Sequence, residues 1–276
     1  MAPLAFIPFL RSLFQQDSSM EIVEHLMVAT LAMTLVYLTL YQMVPVVAPD
    51  VKREYRGSFA DNLFNIVYLP VISFLASHAS YMLGMQGAAA RWTGENRSSY
   101  WFLVLYIAKN FMRSVSSVLL GDKKKGMWLI HIHHVISISC FAVGLFLHRL
   151  HFFGAMDGMC EISIIFLNNK FLYRDFGIAK GALYRVNLLA LAVSWIATRL
   201  IAFPLWLALF LNDYYHHPMY AQGVSMFEMV VYPATTLIIW CLSVKWFGPI
   251  ASEIMSEFGG DGDENSMKSG KKKKEN

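Results

Sequence analysis

The chain has 276 residues, of which 56% are hydrophobic and only 15% charged, with a mean hydropathy of +0.44. Soluble domains run about 45–50% apolar and about 25% charged, so a soluble globular body is excluded. The net charge of +4 comes mostly from a lysine run at the C-terminus and carries no nucleic-acid signature.

The apolar run Leu4–Leu10 is short and is followed by a single basic residue, Arg11, with no small-residue cleavage site, so it does not read as a signal peptide. Beyond it, apolar residues fall in seven blocks, about 23–48, 61–83, 100–120, 127–148, 153–173, 186–211 and 226–247. Blocks of about 20 residues cross roughly 30 Å of hydrocarbon as helices, which predicts an all-α, polytopic membrane protein of about seven transmembrane helices. The fifth is the most interrupted, by Asp157, Glu161, Asn168 and Asn169. Three cysteines, Cys140, Cys160 and Cys241, lie inside spans without disulfide or zinc spacing and read as packing residues.

Lysine and arginine set the orientation. Lys52, Arg53 and Arg56 follow span 1, Lys123–Lys125 follow span 3, Lys170, Arg174, Lys180 and Arg185 follow span 5, and Lys268 and Lys271–Lys274 lie in the tail. The other side holds Arg11, Arg91, Arg97 and Arg149. The heavily basic face is expected to be cytosolic, with the N-terminus lumenal. The single sequon, Asn96-Arg97-Ser98, then falls in a lumenal loop, which makes Asn96 the glycosylation candidate, although Tyr100 sets it close to the membrane. The expected organisation is 1–49 as a lumenal N-terminus and first helix, 50–248 as a membrane domain, and 249–276 as a disordered cytosolic tail. Lys273 and Lys274 stand fourth and third from the C-terminus, the spacing of a dilysine retrieval signal read by the COPI coat of the endoplasmic reticulum.

An ionisable side chain in hydrocarbon costs several kcal/mol, so such groups face a protein interior. On an ideal helix Asp157, Glu161 and Asn168 share a face within about 40°. Helical rise places Glu161 about 18 Å deep, Lys109 about 16 Å, Arg199 about 20 Å and Arg113 about 10 Å. The expectation is an ion pair between Glu161 and Arg199 or Lys109, with Asp157 one turn nearer the lumen. The same groups could serve helix packing alone. His133 and His134 sit about 9 Å inside the cytosolic face, level with Asn168. An imidazole there can relay protons, accept an acyl group or make an interhelical hydrogen bond. His131-x-His133-His134 shares its spacing with diiron boxes, but those come in sets and the remaining histidines form none, so no metal centre is expected.

These residues resemble the TLC-domain family, which includes translocon-associated membrane proteins, ceramide synthases, the ceroid-lipofuscinosis membrane protein and other TLC domain-containing proteins. The stretch Glu161-Ile162-Ser163-Ile164-Ile165-Phe166-Leu167-Asn168 is similar to the family's Glu-Leu-Ser-(Ser/Thr)-Pro-Phe-Leu-Asn. Gly121-Asp122, His133-His134, Asn187, Thr198-Arg199 and Pro204 follow the family's order. The resemblance implies six membrane helices ringed about a cytosol-facing polar cavity, with span 1 outside the ring. By analogy with ceramide synthases, which transfer an acyl group from acyl-CoA to a long-chain amine, it would make His133 and His134 the acyl-accepting and base positions, with Glu161 tuning them. Lys109, Arg113, Asp157, Asn168, Asn187 and Arg199 would line the lipid cavity.

The departures point to the non-synthase members. The synthases' second carboxylate falls on Ile164, their Asn-x-x-Arg-x-Gly segment is absent, Ile165 replaces a proline, and Lys109 stands where an aspartate is common. The expected function is therefore lipid homeostasis, binding or trafficking in the endoplasmic-reticulum membrane. The alternatives are an N-acyltransferase using acyl-CoA and a long-chain amine, with no resident cofactor, and an escort that cycles through its dilysine tail.

Overall fold

The computed structural model describes residues 19–120 and 127–259, the second segment with side chains from 131 to 258. Among these residues every regular element is helical. The helices are α1 (Ser19–Val47), α2 (Arg56–Met85), α3 (Ala88–Thr93), α4 (Arg97–Leu119), α5 (Met127–Leu147), α6 (His151–Gly158), α7 (Glu161–Asp175), α8 (Ala182–Trp195), α9 (Ala202–His216) and α10 (Met226–Gly259). A π-helical turn, Ile196–Ile201, joins α8 to α9 without a break. Leu4–Leu10, Gly121-Asp122, Lys123–Lys125, Lys273 and Lys274 lie outside the described residues.

Among the described residues, five helical stretches are long and apolar enough to cross a membrane: Ser19–Val47, Arg53–Met85, Ala88–Leu119, Ala182–His216 and Met226–Phe258. A shorter apolar helix spans His131–Phe146. The fifth expected span is the pair α6 and α7, broken where its polar residues begin. Successive passes run in opposite directions. The near end of the bundle holds the start of α1 and the connections 85–97, 147–151 and 216–226; the far end holds the connections 47–56 and 175–182.

Low-dielectric surroundings leave no water for stray polar groups, and the chain answers locally. Hydroxyls donate to the carbonyl one turn back: Thr34 to Thr30, Ser80 to Ala76, Ser139 to Val135, Thr198 to Ser194 and Ser243 to Ile239. Pro204 deprives the Leu200 carbonyl of its usual donor, and the indole Nε1 of Trp240 reaches that oxygen at 3.4 Å.

Packing closes α2, α4, α5, α10, α8–α9 and α6–α7 into a ring, with α1 laid against α2 and α4 from outside. Only 11% of the α1 window is buried, against 61% for Ala88–Leu119, so α1 is peripheral and α4 central. α6 fills the near half of the ring. Its Phe153 meets Trp92, Trp206 and Phe210 in an aromatic core, and the Trp206 indole donates to the Phe153 carbonyl at 2.8 Å. α5 and α10 are tied in the same half by the Tyr232 hydroxyl donating to the Cys140 carbonyl at 2.5 Å. Gly158 lets α6 lie close against α4, since a Cβ there would stand 2.1 Å from the Phe102 ring.

Ion pairs lock the near end. Arg91 makes two 2.6 Å bonds to Asp213, whose side chain is fully buried. Arg149 forks onto the equally buried Glu228 and donates to the Gly223 carbonyl at 2.5 Å. His148 meets Glu95 at 2.7 Å.

The structure corrects two expectations. The tail does not begin at residue 249: α10 continues through Pro249 to Gly259. Lys170 pairs with Glu253, the Tyr184 hydroxyl donates to Glu253 at 2.6 Å, and Arg185 donates to Glu257 at 3.2 Å, so this turn is held by packing although its sequence is no longer apolar. Nor do Asp157, Glu161 and Asn168 share one helical face. Between Met156 and Ser163 the backbone makes i to i−3 bonds, a tighter winding that rotates the register.

Replacing Asp213 by alanine strands Arg91 inside the near end and is expected to cost about 3 kcal/mol, while the pair Arg91→Met with Asp213→Leu recovers most of it. Thermal unfolding in detergent reads both. Gly158→Ala forces α6 away from α4 and is expected to cost about 1–3 kcal/mol in the same assay, with Ala155→Gly far milder.

Candidate functional site

The polar interior is organised by Arg199, a buried residue of the π-helical turn. Such turns widen the helix by one residue and re-aim side chains, and they concentrate at functional positions. The Arg199 guanidinium donates from Nε to the Ser163 hydroxyl at 2.8 Å and from a terminal nitrogen to the Cys160 carbonyl at 3.4 Å. It lies over the Trp195 ring at 4.5 Å, a cation–π contact, and Trp195 itself donates to the Ser243 carbonyl at 3.0 Å. One side chain thereby joins α8–α9 to the opening turn of α7 beside α10.

Glu161 is the first residue of α7, where the positive end of the helix dipole favours a carboxylate. Contrary to the expected ion pair, no cation comes within 4.0 Å of it among the described residues. Arg199 is spent on Ser163 and Cys160, and Lys109 on a residue the sequence reading passed over. That residue is Asp61 on α2, 3.7 Å from Lys109 and 3.5 Å from Arg113. Glu161 remains in the field of both Arg199 and Lys109, and the buried hydroxyls of Tyr68 and Tyr106 lie in its own field. Lys109 also stands 5.6 Å over the Tyr68 ring.

His134 and His131 turn toward α4: His134 Nδ1 lies 3.1 Å from the Ser114 hydroxyl and His131 Nε2 lies 3.3 Å from that of Ser117. His133 is exposed on α5, with its ring 5.9 Å from that of His134. Its charged neighbour is Arg199, whereas His134 is flanked by Lys109, Arg113 and its sister histidines. Neither imidazole has a carboxylate beside it.

The other expected cavity residues serve as helix ties. Asn168 donates to the Asn62 carbonyl at 3.0 Å and binds α7 to α2; Asn187 donates to the Phe166 carbonyl at 2.9 Å and binds α8 to α7. Asp157 accepts from the Thr236 hydroxyl at 3.3 Å, away from the ionic cluster. The structure thus gathers Lys109, Arg113, Glu161, Arg199, His133 and His134 in one electrostatic neighbourhood and leaves Asp157, Asn168 and Asn187 outside it. Asp61, Ser163, Ser114 and Tyr106 join it unannounced. A hydroxyl in an apolar span gives almost no signal in sequence, but Asp61 was visible as a carboxylate at the start of the second span. The two cavities described, on the α1 side of the bundle, are lined by other residues.

Asn96 caps α4: its Oδ1 accepts from the Ser99 N–H at 2.8 Å while the Ser99 hydroxyl lies 3.1 Å from the Asn96 N–H, a reciprocal capping box. Its Nδ2, the atom a glycan would occupy, is shielded without a hydrogen-bond partner.

A family model described as the TLC domain, TRAM_LAG1_CLN8, matches residues 58–252. The chain belongs to the TLC-domain family. It is 29% identical over 77 residues to TLC domain-containing protein 2 of Danio rerio, covering 28% of this chain and 31% of that protein. It is 26% identical over 90 residues to TLC domain-containing protein 1 of Mus musculus, covering 33% and 36%. The chain thus spans about a third of the length of these relatives, both non-synthase members. No solved structure matches. The match makes the molecule a membrane-embedded, multi-pass TLC-domain protein, and the matched segment contains the whole Arg199 cluster.

Lysine cannot reproduce the planar fork that lets Arg199 hold Ser163 and the Cys160 carbonyl together. Arg199→Lys is therefore expected to lower stability by about 1–3 kcal/mol, read as a fall in the unfolding midpoint in detergent. Ser163→Ala is expected to reproduce part of that loss, and the double variant to cost less than the sum, because both remove one shared bond.

Proposed function

We propose that this TLC-domain protein holds a lipid or fatty acyl chain within its helical ring and acts in lipid homeostasis, binding or trafficking in the endoplasmic-reticulum membrane. The observation that carries the reading is the company kept by the histidines. Nucleophilic or general-base catalysis needs an imidazole oriented by a third group, most often a carboxylate. Here His134 is hydrogen-bonded to a serine and feels the charges of Lys109 and Arg113, His133 feels that of Arg199, and Glu161 feels those of Arg199 and Lys109. An assembly of Lys109, Arg113 and Arg199 against Asp61 and Glu161 suits retention of an acidic or strongly dipolar lipid group better than proton transfer.

The second reading is an acyl-CoA-dependent N-acyltransferase. It is favoured by one feature: His133 is exposed and accepts no hydrogen bond that would tie it down. In either case we place the far end in the cytosol, where Arg174 and Lys123–Lys125 would meet CoA phosphates and where Lys273 and Lys274 would be available to a COPI coat.

Protein purified from a host lacking ceramide synthases, supplied with acyl-CoA and several long-chain amines, separates the two. Lipid that co-purifies intact, with no amide formed above a protein-free control, is the expected outcome. Amide formation abolished by His133→Ala and by His134→Ala would establish the acyltransferase instead. Replacing Lys273 and Lys274 by serine is expected to shift the protein from the endoplasmic reticulum toward later compartments, as scored by microscopy; an unchanged distribution would remove the retrieval role.

A further inference from the structure

A cavity of about 310 Å³ opens at the near end, lined by Glu21, Ile22, Glu95, Arg97, Tyr100 and His148. It lies far from Arg199 and is built from three elements: the start of α1, the α3–α4 connection with the first turn of α4, and the connection after α5. Its size is at the lower end of the range of small-molecule sites.

Its charges are arranged unusually. Glu95 is committed to His148 at 2.7 Å. Glu21 and Arg97 carry opposite charges and line the same space, yet they form no ion pair with each other or with any other described residue. Two flexible, exposed side chains of opposite sign would be drawn together if nothing else set their positions. Here each is fixed to a separate helix start, Glu21 in the first turn of α1 and Arg97 as the first residue of α4.

An aromatic wall completes the carboxylate side. The Tyr100 hydroxyl is 2.7 Å from His25 Nδ1, the Tyr100 and Trp101 rings meet edge to face at 5.6 Å, and Tyr100 lies in the field of both Glu21 and Glu95. Carboxylates beside an aromatic face attract an ammonium group. A guanidinium at the N-terminus of a 23-residue helix attracts a phosphate.

We infer that this near-end cavity binds the headgroup of a zwitterionic phospholipid, its ammonium toward Glu21 and Tyr100 and its phosphate toward Arg97. The position favours a lipid over a free metabolite. The cavity sits at the mouth of a membrane-crossing bundle, beside the tyrosine–tryptophan pair that marks the interfacial depth where headgroups reside. The inference does not depend on the proposed function of the Arg199 cluster.

The test uses the full-length, delipidated protein, offered equimolar dioleoylphosphatidylcholine and dioleoylphosphatidylglycerol, which share acyl chains and phosphate and differ in the ammonium. Native mass spectrometry reads the bound lipid. Wild type is expected to retain the choline lipid over the glycerol lipid by about five-fold. Glu21→Gln is expected to bring that ratio to about one, and Arg97→Gln to reduce retention of both lipids by about five-fold. Equal retention by wild type, or a preference indifferent to Glu21→Gln, would overturn the assignment. Glycerophosphocholine displacing the lipid at equal concentration would overturn the lipid as its occupant. Unfolding midpoints of Glu21→Gln and Arg97→Gln, both at exposed positions, are expected to match wild type, so a loss of binding reports the site and not the fold.

Discussion

The interior of this bundle depends on where Arg199 places its guanidinium. A permanently charged group in a medium that cannot hydrate it must find acceptors inside the protein, and it finds them in the Ser163 hydroxyl, the Cys160 carbonyl and the face of Trp195. Those acceptors exist because the chain tightens between Met156 and Ser163, and because α8 relaxes into a π turn at Ile196–Ile201. One helix winds tighter and its partner winds looser at the same level. Each irregularity would be costly alone; together they bring a cation to a carbonyl that regular winding would have withheld.

That arrangement decides how the remaining charges pair. With Arg199 engaged by neutral acceptors, Glu161 receives from it and from Lys109 only their fields, together with the dipole of α7. Asp61 then takes both Lys109 and Arg113. The centre of the ring is therefore not a set of closed salt bridges like those at the near end, where Arg91 and Asp213, and Arg149 and Glu228, satisfy each other with forked bonds. Closed pairs resist both water and ligand, because a newcomer must displace a bidentate partner. Loosely coupled charges can accept a third group with little rearrangement. The near-end forks and the central cluster thus neutralise charge in different ways.

Much of this was legible in the sequence, and the failures have specific causes. The all-helical membrane architecture follows from the apolar blocks, the peripheral first helix from the family resemblance, and the meeting of Lys109 and Arg113 inside the bundle from the rule that ionic groups avoid hydrocarbon. Partner choice did not follow. Ideal winding through 153–173 would put Asp157 and Glu161 on one face, and the tight turn before Ser163 re-aims them. Arg91, Arg149 and Lys170 were read as topology markers, although Asp213, Glu228 and Glu253 neutralise them across helices more than 75 residues away in sequence. A basic residue at a membrane edge fits both roles equally, so composition could not separate them. Glu253 was lost for a related reason: the apolar run ends before it, and only its contacts with Lys170 and Tyr184 reveal that the helix continues.

The remaining asymmetry concerns α5. In the near half, Tyr232 holds the Cys140 carbonyl and His151 bridges Ser99 and the Gly144 carbonyl at 3.0 and 3.2 Å, so this half of the helix is fastened on two sides. In the far half, among the described residues, the side-chain bonds of α5 run to α4, through His134 to Ser114 and His131 to Ser117, while Ile132, His133, Val135 and Ile136 are exposed. His133 stands in the field of the same guanidinium that organises the interior. The histidine pair is thus split by geometry into a fastened member, His134, and an exposed member, His133.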